Sequence, residues 1–111
     1  MSSGIDGTVQ YRTYTENDGW ETWSEDGEIN GKSDGTRRLE AIQIRLTGEA
    51  AEKYDIYYRV HCQDDGWLGW AKNGEKAGSE GYSRRMEAME VRLVTKGNAA
   101  PGNTNNCFYG R

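Results

Sequence analysis

The chain is poor in the residues that staple, kink or ligate. Among 111 residues there are one proline, one phenylalanine, one histidine and two cysteines. So few sulfur and imidazole groups make no Cys/His cluster of the kind that holds zinc. His61 and Cys62 are adjacent, hence on opposite faces of any strand, which breaks up a cysteine–histidine dyad. Cys62 and Cys107 either form one disulfide or remain two free thiols. No apolar run approaches the ~20 residues that span a bilayer, so no membrane insertion is expected. Basic residues are outnumbered: the net charge is −4 and the pI about 5.0. A nucleic-acid partner, which demands a basic footprint, is therefore not expected. Met1-Ser2-Ser3-Gly4 lacks the apolar stretch of a signal peptide. If the parent protein is secreted or on the cell surface, this chain reads as an excised piece of it.

Apolar residues are also scarce, at 34%, and such chains tend to disorder. Against that stand 4 Trp and 7 Tyr. They are placed with regularity, because the chain says nearly the same thing twice. Asp18-Gly19-Trp20, Trp23, Gly27-Glu28, Gly31 and Arg37-Arg38-Leu39-Glu40-Ala41 are answered by Asp65-Gly66-Trp67, Trp70, Gly74-Glu75, Gly78 and Arg84-Arg85-Met86-Glu87-Ala88. Trp67 follows Trp20 by 47 residues, as Gly74 follows Gly27 and Arg84 follows Arg37. An ungapped duplication means one structural unit built twice, with any site in two copies. That also argues against a single asymmetric catalytic centre, so no enzyme and no cofactor are expected.

Each unit reads as three strands. The first, residues 9–14 and 56–61, places Val9, Tyr11 and Thr13, and then Ile56, Tyr58, Val60 and Cys62, on a core face. The second, residues 20–24 and 67–71, follows an Asp-Gly turn signal. The tryptophans of each pair are an odd number of residues apart, so a continuous strand sends them to opposite faces. The small neighbours of Trp20 and Trp67 assign those two to the core, and the charged neighbours of Trp23 and Trp70 assign these to the surface. A bulge after the turn reverses that assignment. The third strand, residues 39–46 and 86–93, alternates Ile42, Ile44 and Leu46, and Met89, Val91 and Leu93. A Gly-rich loop with room for a short extra strand precedes it.

The expected architecture is a single all-β domain over residues 1–111, a small β-sandwich or barrel of two tandem repeats with pseudo-two-fold symmetry. Repeat one is residues 9–47, the linker 48–54, repeat two 55–94, and residues 95–111 an irregular tail. Two units either close a fold by themselves or pair with another copy, so a homo-oligomer is open.

With these residues in view, each unit resembles the clostridial hydrophobic repeat with a Trp motif, called ChW. The likeness rests on Gly19-Trp20, Trp23, Gly31 and Arg38-Leu39-Glu40-Ala41, and again on Gly66-Trp67, Trp70, Gly78 and Arg85-Met86-Glu87-Ala88. The resemblance implies secreted or cell-surface proteins of Gram-positive, clostridia-like bacteria. It also implies company with adhesion and glycan-degrading modules, and binding to polysaccharide or surface partners.

The residues themselves point to sugar recognition. An exposed ring covers the apolar face of a pyranose, while Asp, Asn and Arg bridge its hydroxyls. The candidate ligand-binding residues are Trp23, Asp18, Asp26 and Arg12, with their counterparts Trp70, Asp65, Asn73 and Arg59. All four tryptophans in the core is the competing reading. Trp20, Trp67, Arg38, Arg85, Glu40 and Glu87 are assigned structural roles, the Arg–Glu pairs tying the third strand to the loop, with a clamp for an anionic glycan as the competing reading of those pairs. The Asp-rich stretch 26–34 hints at Ca²⁺ but lacks the spacing of a calcium loop, so no metal is expected. The function expected is a non-catalytic extracellular module that binds carbohydrate or a glycosylated surface. The alternative is protein–protein adhesion or self-assembly in the cell envelope.

Overall fold

A computed structural model describes residues 7–15, 19–25, 39–80 and 85–110 of the chain. Of the candidate residues, Asp18, Asp26 and Arg38 lie outside this set.

The fold is all-β, and the described residues form two sheets with one short helix. In unit one, β1 (Val9–Thr15) is central. On one edge it pairs with β4 (Leu39–Leu46), and on the other with the two short strands β2 (Gly19–Trp20) and β3 (Ser24–Glu25). The helix α1 (Gly48–Lys53) occupies the stretch expected as a plain linker. Unit two repeats the plan. Its central β5 (Tyr54–Cys62) pairs with β9 (Met86–Thr95) on one edge, and with β6 (Gly66–Trp67) and β7 (Ala71–Lys72) on the other.

The extra strand foreseen in the Gly-rich loop is β8 (Lys76–Glu80), and it leaves its own unit. Asn73 and Gly74 both take positive φ, 46° and 88°, and Glu75 N–H closes the turn on Lys72 O at 3.1 Å. Two consecutive positive-φ residues make a tight reversal of the kind Asn-Gly favours. The turn carries the chain across to unit one, where β8 pairs antiparallel with β4, Ala41 facing Gly78 and Ile42 facing Ala77. Only glycine fits there. Gly78 has φ +115°, and a Cβ would stand 2.3 Å from Glu40 O. The tail, expected to be irregular, ends in β10 (Phe108–Gly110), parallel to β8.

The core lies between the sheets. Ile42 and Ile44 from β4 meet Ile56, Tyr58, Val60 and Cys62 from β5, with Leu68, Ala71 and Ala77. The alternation expected of β5 therefore holds for its core face, although Tyr57 on the opposite face is buried as well, with the Lys72 ammonium 5.8 Å from its ring. Cys62 and Cys107 are not joined in a disulfide, and both pack at this core. The third strand of unit two departs from expectation: Met89, Val91 and Leu93 are 44%, 45% and 55% exposed. Among the described residues no helix is long and apolar enough to cross a membrane.

Candidate functional site

The Trp segment is not a continuous strand in either unit. Tyr58 faces Ala71 and His61 faces Trp67. Two residues, 59 and 60, thus oppose three, 68 to 70, and the one extra residue is a β-bulge. Unit one matches it: Tyr11 faces Ser24 and Tyr14 faces Trp20, with residues 12 and 13 opposing 21 to 23. The same bond marks both bulges, Glu21 N–H to Thr13 O and Leu68 N–H to Val60 O, each 2.9 Å.

The bulge cancels the odd spacing and puts both tryptophans of a pair on the outer face around one arginine. The Arg59 guanidinium carbon lies 4.5 Å from the Trp67 ring centre and 5.0 Å from that of Trp70. Arg12 lies 5.0 Å from both Trp20 and Trp23. Each arginine is fixed from below. Arg59 Nε–H donates to Glu90 at 2.6 Å, and Arg12 Nε–H to Gln43 at 2.5 Å, Glu90 and Gln43 being counterparts.

This corrects the assignment of core and surface. Trp67 is not core but 43% exposed, and Trp70 is not a surface platform but only 5% exposed. Trp20 and Trp23 are both half-buried. Trp23 is stacked under Arg45, 3.8 Å from its ring centre, and Trp20 meets Tyr14 edge-on at 5.6 Å. The tail decides which ring is covered in unit two. Trp70 N–H donates to Asn103 O at 2.8 Å, and Gly102 sits so close that a Cβ would be 3.0 Å from Trp70 Nε1. Gly69 is equally tight, since a Cβ there would be 2.1 Å from Asn105 O.

Tail and bulge together enclose an open cleft of about 510 Å³. Arg59, Asp65, Trp67, Gly69, Trp70 and Arg92 of unit two line it together with Asn103, Asn105, Asn106 and Tyr109 of the tail. His61 meets Trp67 edge-on at 5.3 Å and is tied to Glu87 at 3.2 Å, so the exposed ring is held from its edge. The lining of the cleft thus includes the tail, which follows unit two.

The structure brings Arg59, Asp65, Trp67 and Trp70 together. It does not bring Asn73 to them: the Asn73 side chain accepts from Ile56 N–H at 2.9 Å and donates to Asp55 at 3.0 Å. Arg12 and Trp23 form the corresponding cluster in unit one. Glu40 is buried, and Glu87 pairs with His61 and lies 3.9 Å from Arg85. The wall residues Asn103, Asn105, Asn106 and Tyr109 were missed in the sequence. Their signal was three amides and an aromatic within seven residues of an otherwise featureless tail.

A small two-sheet module with a repeated Trp-Arg outer face is the class that fold and site define. The chain belongs to the ChW family, clostridial hydrophobic W, whose pattern matches residues 14–48 and 61–95. No curated protein and no solved structure matches it.

Proposed function

We propose that this chain is a non-catalytic, extracellular carbohydrate-binding module, with the cleft beside Trp67 as its site. The observation that carries the reading is the half-exposed Trp67 ring in an open groove whose sides are amide, carboxylate and guanidinium groups. A pyranose presents one apolar C–H face and a rim of hydroxyls. The ring would take the first, and Asn103, Asn105, Asp65 and Arg92 the second. A ring already held by Arg59 and His61 loses little freedom on binding, which favours affinity.

The non-catalytic part of the reading is supported by four carboxylates that are already engaged, while Asp65 stands in the cleft. Glu40 is sealed in the interior, Glu87 and Glu90 are paired with His61 and Arg59, and Asp55 is locked among lysines. A cell-surface or secreted location would follow from a glycan polymer as ligand.

The test is a glycan array followed by tryptophan-fluorescence titration of the hits, with Trp67→Ala and Trp23→Ala alongside. We expect binding that Trp67→Ala abolishes and Trp23→Ala leaves in place. A folded chain that binds no glycan, or a Trp67→Ala variant that binds as well as the parent, would overturn the proposal.

A further inference from the structure

Away from the cleft, the seam between the two units holds a second pocket. Its volume is about 300 Å³, and Arg45, Leu46, Ala51, Asn73 and Lys96 line it. Both units contribute. Arg45 and Leu46 come from β4 and Ala51 from α1, while Asn73 follows β7 and Lys96 follows β9. Among the described residues this lining holds two cations, one amide and two apolar side chains, and no carboxylate. The carboxylate bonded to it from behind is Asp55, which is buried and already served. One Asp55 oxygen has Lys96 Nζ at 2.9 Å and accepts from the Asn73 amide at 3.0 Å. The other accepts from Gly97 N–H at 3.1 Å and has Lys72 Nζ at 3.8 Å. One negative charge thus answers two ammonium groups, and Arg45 adds a third positive charge at the pocket wall.

We infer that this pocket is an oxyanion site, and that its ligand is a carboxylate or sulfate group, alone or carried on a sugar ring. The donors suit that chemistry. Arg45 is held in place, because its Nε–H donates to Gln10 at 2.8 Å and its guanidinium stacks 3.8 Å from the Trp23 ring centre. A guanidinium bonded through Nε still has its two terminal amino groups, a fork that matches two oxygens of an oxyanion. An ammonium carries three N–H groups and a side-chain amide two, so Lys96 and Asn73 have donors beyond those given to Asp55. Leu46 and Ala51 supply apolar wall for the carbon skeleton behind the charged group. A cation already fixed by its neighbours loses little freedom on binding. Because the donors come from both units, an anion held here ties β4 to the end of β9 and stabilises the whole chain by mass action. The site shares no lining residue with the Trp67 cleft and does not depend on it.

The test is calorimetric titration of the full chain at low ionic strength with sodium sulfate and with glucuronate, glucose serving as the neutral control. Amide NMR spectra of the same mixtures locate the site. We expect saturable one-to-one binding, shifts centred on Arg45, Ala51, Asn73 and Lys96, and no response to glucose. Sulfate binding, with or without glucuronate, identifies the anionic group alone as the ligand. Glucuronate binding without sulfate identifies an acidic sugar, and each result upholds the site. Arg45→Gln should weaken binding about tenfold or more, the share of a hydrogen bond to a charged group. Ala51→Glu sets a carboxylate against the ligand from a helix position where Glu is well tolerated, and it repeats the test should Arg45→Gln fail to fold. Trp67→Ala should leave the binding unchanged. Saturable binding of neither anion overturns the inference. So do a response to glucose as strong as to glucuronate, shifts centred elsewhere, folded Arg45→Gln or Ala51→Glu chains that bind like the parent, or binding lost in Trp67→Ala.

Discussion

At the scale of the residue, the arginine at the centre of each first strand organises its unit's outer face. Arg59 stands within 5.0 Å of two indole rings and is ion-paired to Glu90. A planar guanidinium can stack and donate at the same time, which a lysine ammonium cannot. Arg59→Ala should therefore lower stability by about 1–3 kcal/mol, summing a partly exposed cation–π contact and a charge-assisted hydrogen bond. Arg59→Lys should recover only part of the loss. Urea unfolding followed by tryptophan emission checks both, and a variant within error of the parent would show the stack to be ornamental. This cluster was only half legible in the sequence. The motif pairs Arg12 and Arg59 with the tryptophans, but strict alternation sends Trp67 inward and Trp70 outward. One inserted residue at 68–70 inverts that parity, and the charge of Lys72 is no guide to Trp70, because the ring is covered by residues far along the chain.

At the scale of the element, the start of β5 is anchored by a buried charge. Asp55 is 1% exposed, yet its carboxyl is held well below the ordinary carboxylate range. Lys96 Nζ at 2.9 Å is the main cause, then the Asn73 amide and the Gly97 N–H at 3.1 Å, with burial opposing them. The group ties β5, the turn after β7 and the end of β9 together. In unit one the position matching Asp55 is Thr8, whose hydroxyl meets that of Thr47 at 2.6 Å. A carboxylate whose folded pKa is depressed stabilises fully above its unfolded value of about 3.9, and that contribution is lost as pH falls from there through the lower folded value. Stability should thus be level near neutrality and decline below about pH 4. Asp55→Asn should be about 1–3 kcal/mol less stable at pH 7 and show a flatter acid limb. Unfolding midpoints at pH 7 and at pH 3 test this, and an unchanged acid limb would remove Asp55 from the account. Asn73 was legible as a turn former, but its side chain's use on Asp55 was not, since nothing in the sequence brings residues 55, 73 and 96 together.

At the scale of the whole molecule, two repeats in sequence are not two modules in space. The repeat, the first and third strands of each unit and the core face of β5 were legible because period-two alternation and turn signals are local. The exchange of β8 was not, because a five-residue strand carries no mark of which sheet it joins. That exchange has a thermodynamic consequence. β4 buries Ile42 and Ile44 against β5, and its outer edge against β8, so unit one is completed by unit two. Gly78 makes the junction tight, and Gly78→Ala, strained in φ and only 2.3 Å from Glu40 O, should destabilise the whole chain rather than one half. A fragment of residues 1–53 loses half the core and the cover of β4 and is expected to be unfolded alone, with a collapsed amide spectrum and no cooperative transition. Mixing it with residues 54–111 should restore structure, because the missing strand and the apolar face return together. A fragment 1–53 with dispersed amide resonances and a sigmoidal melt of its own would show the units to be independent. The interior between the sheets would then be a contact surface rather than a core.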